Sequence, residues 1–136
     1  RKDSTGQAIA ATTATKVTFV TEEFDEGGVY DNSTNHRFTP VIPGVYLISA
    51  SIAITNHPAG KFCQIRATKN GSLMEDFTQF FINPSSGDQD TTSGQMTFLE
   101  TFDADDYMEI FTYQNSSDSE TTRVKHECRF MAFRVN

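Results

Sequence analysis

Residues 45–54, VYLISASIAI, contain no charged side chain, no Gly and no Pro. In an extended chain successive side chains alternate between the two faces. Tyr46, Ile48, Ala50, Ile52 and Ile54 then share one face, and Val45, Leu47, Ser49, Ser51 and Ala53 share the other. A strand without charge on either face is covered on both. One cover is an opposing sheet of the same chain. A solitary sandwich normally turns a polar face outward, so the second cover is expected from a neighbouring subunit.

The remaining sequence fits the same architecture. There are 18 Thr and 12 Phe against three Leu, a balance that disfavours helix and suits a pleated surface. Short runs of β-like sequence alternate with turn chemistry from Lys16 onward. KFCQIRATK (61–69) sets Phe62, Gln64 and Arg66 against Cys63, Ile65 and Ala67, and Asn70-Gly71 then reads as a hairpin turn. LMEDFTQFFI (73–82), QMTFLETF (95–102), YMEIFTY (107–113) and VKHECRFMAFRV (124–135) read as further strands, with polar loops at 83–94 and 114–122. In QMTFLETF, Met96 and Phe98 share one side and Leu99 the other. The expectation is an all-β sandwich in one domain over residues 16–136. Residues 1–15, small and polar except for Ile9, read as a linker or arm. The chain begins with Arg1 and has no apolar leader, so it reads as a processed or excised piece of a longer protein.

Charge narrows the function. The net charge is −7 and the pI about 4.8, which works against binding to nucleic acid. No apolar run approaches the roughly 20 residues that span a bilayer, so no membrane insertion is expected. Between Lys69 and Arg123 there are 11 acidic residues and no Lys or Arg. That stretch reads as a solubilising face, a cation site or a surface for a basic partner.

One constellation is specific. Phe19 is followed by Asp25, Tyr30, Phe38 and Gly44, and the run closes on Tyr46. This resembles the signature of the C1q domain, in the C1q/TNF-like jelly-roll superfamily: F, N or D, an aromatic, F, then G-x-Y-x-F. FMAFRV, with Phe130, Phe133 and Val135, resembles the family's closing F-x-G-F-x-L, and FDADDYMEI (102–110) stands at its L-x-x-G-D-x-V turn and strand. Here the Tyr30–Phe38 turn is one residue longer, Ile48 and Ala50 replace aromatics, Ala132 replaces Gly, and Ala104 or Asp105 stands at the Gly of the G-D pair. The sequence is in this respect similar to the divergent C1q-like heads of bacterial and viral fibres.

The resemblance implies about ten strands in two antiparallel sheets and a homotrimer. Tyr46, Ile48, Ile52, Met96, Phe98 and Phe133 are then the candidates for trimer interface and core. It also implies an extracellular location, secreted or on a virion surface, at the end of an upstream stalk. The loops would recognise a cell-surface protein or glycan. The candidates are Asn32, Asn35, His36 and Arg37 in loop 31–37, Ser85, Asp88 and Asp90 in loop 83–94, and Asn115 and Asp118 in loop 114–122. The alternative is a structural fibre, decoration or capping module without a ligand. C1q-like trimers often carry calcium near the top of the axis. Asp103, Asp105 and Asp106, or Asp88 and Asp90, are the oxygen donors of the right type, although no D-x-D-x-D-G loop is present.

Catalysis has no such support. There is no G-x-S-x-G elbow, P-loop or H-E-x-x-H. His57 precedes Pro58 in a turn and reads as an exposed loop residue, and His126 as a sheet-surface residue. Cys63 and Cys128 read as buried thiols packed like small apolar groups, and spacing alone does not decide whether they pair. Asn32, Asn70 and Asn115 head N-x-S/T triplets in turns, glycan acceptors only in a eukaryotic secretory pathway.

Overall fold

The structure is a computed structural model that describes residues 6–55, 57–82, 91–117, 120–122 and 128–135. The strands are β1 (Ala8–Ile9), β2 (Thr15–Lys16), β3 (Tyr30–Asp31), β4 (Arg37–Phe38), β5 (Gly44–Thr55), β6 (Phe62–Lys69), β7 (Ser72–Leu73), β8 (Gln79–Ile82), β9 (Thr91–Phe102), β10 (Met108–Gln114), β11 (Glu120–Thr122) and β12 (Arg129–Arg134). They form two sheets, and every pairing is antiparallel. In the five-stranded sheet β5 is central, with β9 along one side, β12 and β11 end to end along the other, and β1 outside β11. In the seven-stranded sheet β10 lies between β6 and the pair β2 and β4, with β3 beyond β4, and β7 and β8 beyond β6. This is a jelly-roll sandwich.

The uncharged strand is β5, and its period-2 reading holds. Tyr46, Ile48, Ala50, Ile52 and Ile54 are all buried, facing the other sheet, while Leu47 is 39% exposed. Cys63, Ile65 and Ala67 of β6 and Met108 and Ile110 of β10 supply the opposing inner face. Met96, Phe98 and Phe102 of β9 extend the inner face of β5 within its own sheet. The sandwich is closed by aromatic rings. Phe38 meets Tyr46 at 5.4 Å, Phe102 at 5.5 Å and Phe130 at 5.9 Å between ring centroids. Phe130 in turn packs on Tyr30 at 5.3 Å and Phe19 at 6.2 Å. Edge-to-face and tilted contacts of this kind add to the area each ring buries.

Four expectations are corrected. Residues 6–15 are not a linker: Ile9 is fully buried, β1 pairs with β11, and the Gln7 carboxamide bonds Lys16 O, Thr18 N and Thr18 Oγ1. The run 73–82 is interrupted by a 3-10 turn at Glu75–Phe77, where Phe77 leaves the strand to stack on Phe98 at 4.1 Å. The loop expected at 83–94 is already strand from Thr91, because β5 continues to Thr55 and carries its partner with it. His57 is 2% exposed rather than on the surface, with Nε2 3.4 Å from Cys63 Sγ.

Two of the glycines are tied to their places by the fold. Gly71 takes φ 79° after Asn70 at φ 52°, the left-handed pair that a two-residue hairpin needs. Gly94 lies under the Phe81 ring, where an added Cβ would sit 2.2 Å from Cδ1. Gly94→Ala is therefore expected to destabilise by about 1–3 kcal/mol through overpacking. Phe38→Ala, which empties the centre of the ring cluster, is expected to cost about 3–5 kcal/mol. Urea unfolding followed by circular dichroism measures both, and wild-type stability in either variant would contradict the packing.

Candidate functional site

The outer face of the five-stranded sheet carries apolar side chains where a solitary sandwich would be polar. Register places Leu99 of β9, Leu47 of β5 and Phe133 of β12 in one row across three strands. Met131 lies opposite Ser49 in the next row. Leu99 is 55% exposed, Phe133 69% and Met131 49%. Val135 follows, tied to Val45 by a backbone bond of 2.9 Å. Of the expected interface and core residues, Tyr46, Ile48, Ile52, Met96 and Phe98 are buried inside the protomer, and only Phe133 is displayed. A side chain that already faces the opposing sheet offers no surface to a neighbour. The residues that do are Leu47, Leu99 and Met131, the odd-numbered partners of the same strands.

The expected recognition residues separate. In the turn between β3 and β4, the Asp31 carboxylate accepts from Ser33 N, Thr34 N and Asn35 N, which hold its pKa far below the ordinary carboxylate range. Lys16 Nζ donates to Asn35 O, His36 takes a left-handed φ of 49°, and the Arg37 guanidinium lies 4.5 Å from the Tyr107 ring centre. Asn32 donates to Glu22 at 3.5 Å. Asn115 lies at the far end of β10, where its Oδ1 accepts from Phe62 N and its own N–H donates to Phe62 O. That carboxamide clips β6 to β10. Ser85, Asp88, Asp90, Asp118 and His126 lie outside the described residues.

The acidic turn at 103–106 forms a clasp of side chains. Asp106 accepts from Asn70 Nδ2 at 2.7 Å, from Asp103 N at 2.9 Å, and from Lys69 Nζ at 3.1 Å. Lys69 also meets Glu100 at 3.1 Å, and the Asn70 Oδ1 accepts from Tyr107 N. Among the described residues no group of three or more His, Cys, Asp and Glu is placed to hold a metal ion. The Asn70 amide, ahead of the Asp103 N–H and Lys69, pulls the Asp106 pKa down to about 2. Its carboxylate is the bound form, so the clasp is intact above about pH 4, near the unfolded value, and is lost as pH falls through about 2. Asp106→Asn is expected to lower the urea midpoint at pH 7, with the difference from wild type shrinking towards pH 2. A difference that persists unchanged at pH 2 would contradict the assignment.

Three features had little signal in the sequence. Phe62 stacks on Tyr113 at 6.0 Å and meets Phe80 at 5.7 Å, with Arg66 4.7 Å from the Tyr113 ring centre. This makes an aromatic patch on the outside of the seven-stranded sheet. Cys63 and Cys128 are buried as expected, but their surroundings were not legible: Cys63 lies against His57 and Cys128 against the Ala53 backbone, whose N lies 3.3 Å from its sulfur. A cleft of about 710 Å³ lies between β12 and the segment 21–27, floored by Phe19, Tyr30, Phe38 and Phe130. Each combines residues far apart in the chain, and spacing in sequence does not announce that.

The fold is shared with a TNF and with a complement C1q globular domain. The chain superposes over its full length on 94% of the S. frugiperda Eiger TNF chain, with a TM-score of 0.58 and 10% identity. It likewise covers 98% of the globular domain of zebrafish complement 1qA protein, with a TM-score of 0.55 and 15% identity. No family model and no curated protein matches the sequence. Among the described residues no helix is long and apolar enough to cross a membrane.

Proposed function

We propose that this chain is a C1q/TNF-like head that assembles as a homotrimer and presents its loops to a cell-surface protein or glycan outside the cell. The observation that carries the reading is the apolar row Leu99, Leu47 and Phe133 with Met131 beside it, exposed on a sheet face that no described residue covers. Contiguous apolar surface of this kind marks an interaction face. A threefold ring needs two different complementary surfaces on each subunit. Phe80 and Ile82 on β8, the rim of the other sheet, are the second, both about 60% exposed. A stalk on the same chain would be held in register by such a ring, and three weak loop contacts would act together.

Leu47→Asp with Phe133→Asp places two charges in the row without touching the buried face. The double variant is expected to keep the wild-type circular dichroism and to sediment as a monomer. Its binding to a panel of cells and immobilised glycans is expected to fall about a hundredfold through lost avidity. A double variant that remains trimeric would contradict the interface. A trimer that binds no cell or glycan in the panel would contradict the recognition role.

A further inference from the structure

The cleft beside β12 runs along an open strand edge, and we infer that it takes an extended peptide strand with alternating apolar and basic side chains. β12 pairs with β5 over all six residues, and among the described residues no strand pairs with its other side. Val135 N donates to Val45 O, which continues the register of β12 on β5. In an antiparallel ladder residues alternate in the direction of their backbone groups. Arg129, Met131 and Phe133 therefore turn N–H and C=O towards β5, and Phe130, Ala132 and Arg134 turn theirs away from it. Such groups are a template for another strand, and natural edges are usually blunted by charge, proline or a covering segment. The middle of this edge, Phe130 to Phe133, carries no charge and no proline.

The cleft lies along this edge, since all six residues of β12 line it. Its floor is the ring cluster of Phe19, Tyr30, Phe38 and Phe130, which suits apolar side chains at every second position of an added strand. The facing wall is acidic. Glu22, Glu23 and Glu26 line it with exposed carboxylates. Asp25, the fourth acid, is turned into its own loop, where it accepts from Gly27, Val29 and Tyr30 N–H groups. The basic groups of the cleft are Arg129 and Arg134 at the two ends of β12, and Arg134 is already donating to Pro43 O. Between those ends a cation on the incoming strand meets Glu26, and adds to the bond that Glu22 accepts from Asn32. Met131 and Phe133 line the cleft as well as the proposed subunit face, so the inference requires that the edge of β12 stay open in the assembly.

The test is fluorescence anisotropy with a labelled, end-blocked hexapeptide of alternating valine and lysine, added to the full chain. Saturable binding is expected, together with slowed amide exchange at Phe130, Ala132 and Arg134. Methylating alternate peptide nitrogens removes the backbone donors and is expected to weaken binding about tenfold or more. Ala132→Pro removes one outward N–H at a position where an edge strand tolerates proline, and is expected to weaken binding by a similar factor with the fold retained. Glu22→Lys with Glu26→Lys is expected to reverse the preference, favouring a valine–glutamate peptide over the valine–lysine one. Absence of binding, equal binding of the methylated peptide, or an unchanged charge preference would each overturn the inference. Peptide binding that dissociates the oligomer would overturn it too, because the cleft would then be a subunit contact.

Discussion

The constraint on which the rest depends is the ring cluster that joins the two sheets. Phe38 and Tyr30 come from the seven-stranded sheet, Tyr46, Phe102 and Phe130 from the five-stranded one, and Phe19 from the segment between β2 and β3. The spacing of the motif follows from this cluster. Asp25 sits between Phe19 and Tyr30 because its carboxylate closes the intervening turn on three backbone N–H groups and brings the two rings to 6.4 Å. Tyr46 fills its place and sends its hydroxyl to Ile42 O at 2.7 Å, fixing the approach to β5. Once this end of the sandwich is fastened, β5 has one register, and the identity of its two faces is decided.

That decision has a consequence at the surface. A shift by one residue would exchange the two faces of β5, so the burial of Tyr46 and Ile48 is what exposes Leu47. Leu99 and Phe133 follow from pairing, since each stands opposite Leu47. The apolar outer row is thus fixed by the core and is not a scatter of isolated exposed residues. The acidity of the chain lies elsewhere: the Asp106 carboxylate closes one turn on the Asp103 N–H, Asp31 closes another, and Glu109 meets Lys16. Part of the negative charge is used in local closure, and Glu22, Glu23 and Glu26 line the cleft.

The parts legible in the sequence are those set by alternation and local turn chemistry. The faces of β5 and β6, the Asn70-Gly71 hairpin and the position of the aromatic motif needed no partner to be read. The parts that were not legible depend on contacts from far along the chain. Ile9 looked solitary in a polar arm, and its burial comes from β11 and β10, more than a hundred residues away. His57 looked like an exposed turn residue because Pro58 follows it, yet the turn folds its ring onto Cys63. Thr91 to Gly94 read as loop, since their strand character comes from the length of β5. Of the residues named for interface and core, all but Phe133 lie on the buried faces of β5 and β9. A strand without charge on either side does not say by itself which face meets the opposing sheet.

The proposed assembly therefore depends on the exposed row meeting a second copy of the chain. Sedimentation equilibrium of the wild-type head over a micromolar dilution series measures this directly. A single species of three times the 15.2 kDa chain mass, stable to dilution, is the predicted result. A stable monomer across that range would contradict it.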